Sequence, residues 1–183
     1  MIYPIYVIGH PVLRKKTEEL SADFEGLHDL IDSMFETMYA ANGVGLAAPQ
    51  IGKSLRIFVV DAEVLAEDNP ELAGFKRVFI NPQIVERSAD LISWEEGCLS
   101  IPSIHENVKR NTRLVMEYYD RDFNFVSETL DGFKAIVVQH EYDHLDGVLF
   151  TDKIHPIRKK FLRSKIHDIG KGKIGVDYKI VTA

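Results

Sequence analysis

The run Gln139-His140-Glu141-Tyr142-Asp143-His144 sets two histidines four residues apart with a glutamate beside the first, an H-E-x-x-H pattern. On an α-helix, residues four apart stand one turn above each other on one face, so His140 and His144 can direct two imidazoles at one metal ion. Glu141 then lies beside that ion as a candidate general base. The flanks predict the helix: Phe133, Ile136, Val137 and His140 fall at i, i+3, i+4 and i+7, with Asp131 and Gly132 at the start and Gly147 as a stop. Both histidines thus fall on an inward, apolar face, where an imidazole without a partner costs free energy. The plainer alternative is a pair of core histidines satisfied by ordinary hydrogen bonds.

A metal that activates water keeps about three protein ligands and one open position. The third ligand must lie outside the motif. In the extended protease pattern H-E-x-x-H-x-x-G-x-x-H it is a later histidine; here Gly147 is in place but Phe150 stands where that histidine would be. The remaining candidate lies upstream, in Glu95-Glu96-Gly97-Cys98-Leu99-Ser100-Ile101-Pro102. Cys98 is the only cysteine, so it forms no intramolecular disulfide, and a lone cysteine is most often a small buried apolar residue. Its setting is less ordinary, because the acidic pair, Gly97 and Pro102 mark a shaped turn between extended segments.

Gly43-Val44-Gly45-Leu46-Ala47-Ala48-Pro49-Gln50, Glu96-Gly97-Cys98-Leu99-Ser100 and Gln139-His140-Glu141-Tyr142-Asp143-His144 together resemble the three signature motifs of the peptide deformylase family, in its order and at about its spacing. Gly9-His10-Pro11-Val12-Leu13-Arg14 resembles the family's N-terminal segment. The resemblance runs from about residue 2 to 165 and is weakest in the last stretch and in an insertion from Leu65 to Lys76.

The resemblance implies that Cys98 joins His140 and His144 as the third ligand of one divalent metal ion per chain. Fe(II) is the ion it favours in the cell, whereas the Cys-His-His set also suits Zn(II) or another divalent metal in purified protein. Glu141 is implied as general base and acid, with the Gln50 side chain and the Leu99 backbone N–H as donors to the oxyanion. The implied substrate is the N-formyl group on the initiator methionine of nascent polypeptides, released as formate. Phe133, Ile136, Val137 and His140 would wall the methionine pocket, with Val44 opposite. Gly45, Gly97 and the backbone near Ile101 would run along an extended peptide, and Glu96 would orient a neighbouring group.

Three rivals remain at this level. A zinc endoprotease is disfavoured by Phe150 and by the upstream cysteine. A hydrolase using Cys98 as nucleophile would work without metal. A zinc-stabilised binding module would close the fourth coordination position with protein.

The rest of the chain bounds these readings. A length of 183 residues suits one domain, with the tail from 167 to 183 either mobile or adding a strand. A net charge of −6 disfavours a nucleic-acid partner, DNA included. The apolar opening Met1 to Ile8 is short, broken by Pro4 and without a basic leader, so no signal peptide is expected. No stretch reaches membrane-span length, and one cysteine suits a reducing compartment, so the cytoplasm is expected.

A helix is expected from Phe24 to Ala41, with Leu27, Leu30, Ile31, Met34, Phe35 and Met38 as its apolar stripe and Ser21 or Asp23 as N-cap. The following Gly43 to Gly52 stretch comes after a helix instead of a strand, so it does not read as a phosphate loop. Strands are expected at Arg56–Asp61, Val78–Ile80, Gln83–Val85, Arg113–Tyr119 and Phe125–Ser127, with Asn81-Pro82 and Asp120–Asp122 as breaks. The acidic run Glu63 to Glu71 reads as a solvated excursion. The predicted class is α+β: mostly antiparallel sheets packed around the H-E-x-x-H helix, with an N-terminal and a C-terminal helix. The basic segment His155 to Ile166 opens with Pro156 at a first helical position; it is either a solvated helix face or a contact with ribosomal RNA.

Overall fold

The expected elements all form, and a hairpin not foreseen joins them. The computed structural model describes residues 1–183. In chain order its elements are β1 (Ile5–Tyr6), α1 (Leu27–Ala40), β2 (Gly45–Ala47), β3 (Ile57–Asp61), β4 (Lys76–Arg87) and β5 (Leu91–Cys98). There follow β6 (Ile101–Asn111), β7 (Arg113–Tyr119), β8 (Phe125–Asp131), α2 (Gly132–Leu145), α3 (Pro156–Gly170) and β9 (Ile180–Val181). One five-stranded sheet has the order β2-β3-β4-β7-β8, all antiparallel, while β5 and β6 form a separate hairpin and β1 pairs with β9 in parallel. This is the α+β arrangement predicted, with α2 set among the sheets.

Helix α1 forms because its apolar stripe has a core to enter. Leu27, Leu30, Ile31, Met34, Phe35 and Met38 are all buried, packed against Leu46 of β2, Ile57 and Val59 of β3 and Ile80 of β4. Each such side chain removed from water contributes about 1.5–3 kcal/mol. The helix starts later than predicted, and neither Ser21 nor Asp23 caps it. Gly26 is the N-cap, at φ 76, without a side-chain hydrogen bond. A left-handed turn of that kind costs glycine little.

Helix α2 is buried on more than the one face that periodicity suggested. Ala135, Val137, Val138 and Leu145 pack into a second core group with Phe58, Phe79, Leu114 and Met116, whose anchor is the stacked pair Phe58–Phe79 at 4.5 Å between centroids. A helix enclosed on several sides must satisfy its polar residues internally. Gln139 does so by donating to the Ala135 and Asn111 carbonyls, both at 2.9 Å.

Two differences from the sequence reading have local causes. Asn81-Pro82 does not end a strand; β4 runs through it, its pairing stepping from Ile80↔Tyr119 to Gln83↔Glu117. Asn81 adopts φ 50 there, and its side chain takes over the ladder's role by accepting from Leu20 N–H and donating to Leu20 C=O, each at 2.8 Å. The hairpin β5–β6 escaped prediction because its inward positions are partly charged. Ile104, Glu106, Val108 and Arg110 are the buried, alternating set of β6, so the usual apolar alternation is broken at two sites.

The 63–76 insertion is exposed over most of its length but is pinned by Leu72 and Phe75, which enter the second core group. Helix α3 begins with Pro156 in the first turn, as predicted, and His155 caps it by accepting from Ile157 N–H. Its apolar side is only partly used: Leu162 and Ile166 pack on a third core group, whereas Ile157 and Phe161 stay exposed. No helix is long and apolar enough to cross a membrane.

Candidate active site

The site lies where α2 meets the turn between β5 and β6. Helical spacing stacks His140 and His144, their rings 5.1 Å apart. Cys98 ends β5, after a pairing irregularity at Glu96/Cys98 that bends the strand end toward the helix. Its Sγ lies 3.3 Å from His144 Nε2, and the donor atoms of Cys98, His140 and His144 all lie within 4.8 Å of one another. Sulfur and nitrogen ligands of one tetrahedral ion stand roughly 3.6 Å apart, so this separation suits a shared metal. The residues fit a divalent cation in a second respect: Glu141 Oε2, buried beside these donors, has no protein partner.

Electrostatics separate the two imidazoles. His140 Nδ1 lies 2.8 Å from Glu96 Oε2; a carboxylate only accepts, so Nδ1 carries a hydrogen and Nε2 is the nitrogen not engaged by Glu96. Burial opposes charge on His140, but hydrogen bonding to Cys98 and Glu96 outweighs it and holds the ring well above its ordinary range. His144 is driven the other way, by burial first and then by His140 and Arg110, which favours the neutral imidazole. Glu96 is itself buried, which favours its protonated form; Arg110 and His140 overcome this and hold its carboxyl at about 2. Burial raises Glu141 to about 7, a carboxyl poised to exchange a proton near neutrality.

Glu141 reaches the site because β2 carries no side chain opposite it. A Cβ at Gly45 would lie 2.4 Å from Glu141 Oε1. Gln50 is held with comparable care in the short 3-10 turn after β2. Its Oε1 accepts from Ala47 N–H at 2.9 Å, which orients the amide so that Nε2 faces Ser100 Oγ at 3.3 Å and Cys98 Sγ at 3.5 Å. The amide thus points its donor at Ser100 and Cys98.

A cavity of about 530 Å³ opens here. Of the residues predicted from sequence, it brings together Val44, Gly45, Gln50, Glu96, Gly97, Cys98, Leu99, Phe133, Ile136, Val137, His140 and Glu141. His144 lies behind this lining, 1% exposed. Ile101 is the exception: it is wholly buried in the third core group, and its neighbours Pro102 and Ser103 line the cavity instead. Phe150, which stands where a protease would place a third histidine, is packed in that same group with its ring 6.1 Å from His140.

Several contributors carried no local signal. Arg110 bridges Glu96 and Asp143, Trp94 lies 5.8 Å from Phe133 between ring centroids, and His105 and Tyr178 face the cavity from distant stretches. Arg110 alone left a trace, as a basic residue at an inward-alternating strand position.

Comparison with known proteins agrees with this geometry. A family model described as polypeptide deformylase matches residues 2–160. The chain is 46% identical to a peptide deformylase of Flavobacterium psychrophilum, over 98% of this chain and 96% of that relative. It is 48% identical to one of Salinibacter ruber, over 100% and 95%. Among solved structures it is similar to the peptide deformylase of Thermus thermophilus, with TM-score 0.82, 41% identity and coverage of 93% and 96%.

Proposed function

The chain belongs to the polypeptide deformylase family and is an enzyme that removes the N-formyl group from nascent peptides; on that premise we propose that Cys98, His140 and His144 hold its metal and that Glu141 moves the proton. The observation that carries this reading is the convergence of those three donors, within 4.8 Å of one another, beside a buried carboxylate with a partnerless oxygen.

A divalent metal bound there supplies Lewis acidity, bringing water's pKa toward neutrality and offsetting negative charge on the formyl oxygen. Glu141 takes a proton from the attacking water and later delivers it to the amine nitrogen as the C–N bond breaks, leaving formate and a free N-terminus. Gln50 Nε2 and the Leu99 N–H donate to the oxyanion that develops in between. Val44, Phe133, Ile136 and Val137 offer the apolar surface for the methionine side chain. Gly45 and Gly97 leave backbone open on the cavity, where an extended peptide can add by main-chain hydrogen bonds, largely independent of its later sequence. Glu96 orients His140 and, through Arg110, is itself fixed.

The metal is read as Fe(II) in the cell, with Zn(II) or another divalent ion able to occupy the same Cys-His-His set after purification. The whole chain is read as one catalytic domain of the cytoplasm, where nascent peptides emerge. The basic, exposed helix α3 offers a face suited to ribosome proximity; the net charge of −6 argues against DNA.

The test is formate release from a short N-formyl-methionyl peptide, with protein prepared without oxygen and loaded with Fe(II). Turnover that disappears in the Glu141→Ala enzyme is expected. No turnover by protein holding one metal per chain would overturn the reading.

A further inference from the structure

Residues Gly175 to Tyr178, between α3 and β9, form part of the cavity lining beside Cys98 and Leu99. This strap lies beyond residue 160 and none of its residues belongs to the three motifs. It is tied down at both ends. On the α3 side Lys173 N–H donates to the Asp168 carbonyl at 2.9 Å, and Gly170 lies so close to Ile8 that a Cβ there would stand 2.8 Å from the Ile8 carbonyl oxygen. On the other side the Lys179 carbonyl accepts from Ile5 N–H at 2.8 Å, at the start of the β1–β9 pair.

From this fixed strap one bond reaches the catalytic turn: the Tyr178 hydroxyl donates to the Leu99 carbonyl at 2.8 Å. The neighbouring Ser100 carbonyl accepts from Ile8 N–H at 2.9 Å, so both successive carbonyls of the turn are held by segments from the two ends of the chain. Because peptide units are planar, the Leu99 N–H and C=O can reorient relative to one another only through rotation about the two backbone bonds of the Leu99 Cα. Pinning the carbonyl restricts that rotation, and the stabilisation an N–H gives an oxyanion depends on its being aimed beforehand.

We propose that Tyr178 is a positioning residue for deformylation: its hydroxyl fixes the Leu99 backbone so that the Leu99 N–H is already directed at the place where the formyl oxygen becomes charged. The inference rests on the reading of Leu99 as an oxyanion donor. The Tyr178 ring packs against the first core group, so a phenylalanine keeps the packing and removes only the donor.

The experiment compares full-length wild type with Tyr178→Phe, both loaded anaerobically with Fe(II), on a formyl-methionyl tripeptide, with metal content and Tm measured on the same samples. The expected result is a fall in kcat of roughly fivefold to tenfold, the size of one neutral hydrogen bond, with KM within about twofold and with metal content and Tm unchanged. An unchanged kcat overturns the proposal, as does a rise in KM alone or a loss of activity that merely follows loss of metal or of Tm. Wild type without turnover would instead remove the deformylase reading on which it rests, so the two failures are distinguishable.

Discussion

Arg110 grips Glu96 through two hydrogen bonds, Nε to Oε1 at 2.6 Å and Nη2 to Oε2 at 2.9 Å, and extends Nη1 to Asp143 Oδ2 at 2.6 Å. Glu96 in turn meets His140, so a chain of four charged or polar side chains links His140 to Asp143, about one turn apart on the motif helix. Arg110 and Glu96 are 3% and 4% exposed at their side chains, and a buried charge deprived of its partner costs about 3–5 kcal/mol.

Arg110→Leu is therefore expected to lower unfolding free energy by about that amount and to weaken metal affinity by about 10–100-fold. Urea unfolding and metal titration measure the two effects. Wild-type metal affinity in this variant would show that the bridge does not orient His140.

Gly45→Ala tests the close approach of β2 to Glu141. The added Cβ, 2.4 Å from Glu141 Oε1, must displace the carboxylate from its present position. Activity should fall on the order of 100-fold, the effect of misplacing a reacting group by about 1 Å. Metal content should stay at the wild-type level, since Cys98, His140 and His144 are untouched. Full activity would show that Glu141 does not need its present position.

Replacing a proposed metal ligand and the proposed base in turn separates binding from chemistry. Cys98→Ala should lose stoichiometric metal, and chelation should lower the Tm of wild type by removing a ligand that binds only the folded state. Glu141→Gln should retain metal, lose about 10²–10⁴ in turnover, and be no less stable than wild type, because the carboxylate it replaces is buried with one oxygen unpartnered. Calorimetry beside formate assays decides this; a Cys98→Ala protein that keeps one metal per chain would remove the ligand assignment.

A pH dependence follows away from the site. Burial alone would raise the Asp152 carboxyl, but Arg14, the Leu149 N–H and Lys159 prevail and hold it below its usual 3.8. A carboxyl depressed in the folded state stabilises the fold above its unfolded pKa and loses that contribution as pH falls through the folded value. Asp152→Asn should therefore be less stable than wild type at neutral pH, with the difference shrinking as pH drops below about 3.8. Denaturant midpoints measured from pH 6 to pH 3 check the sign, and a difference that grows on acidification would contradict it.

Local periodicity made α1 and α2 legible, because a stripe such as Leu27, Leu30, Ile31 and Met34 has one way of burying itself, and Pro156 announced the start of α3. The strands β3, β7 and β8 were equally plain. The hairpin β5–β6 was not, since Glu106 and Arg110 occupy inward positions whose charge is tolerable only once Arg158 and Glu96 stand opposite them. The continuity of β4 through Asn81 likewise depended on Leu20, sixty-one positions earlier in the chain.

The chemistry on offer is written in the chain: two imidazoles one helical turn apart, a carboxylate beside them, one thiol, and a glycine-rich stretch ending in Gln50. Spacing along a helix is a local property, and family motifs preserve residue types. How those groups act on one another is set by the folded arrangement. The 3.3 Å between Cys98 and His144, the Arg110–Glu96–His140 chain, the space that Gly45 leaves for Glu141, and the hydroxyl of Tyr178 on Leu99 all join residues far apart in sequence. Their placement depends on how strands twist, bulge and pack, which no single stretch encodes.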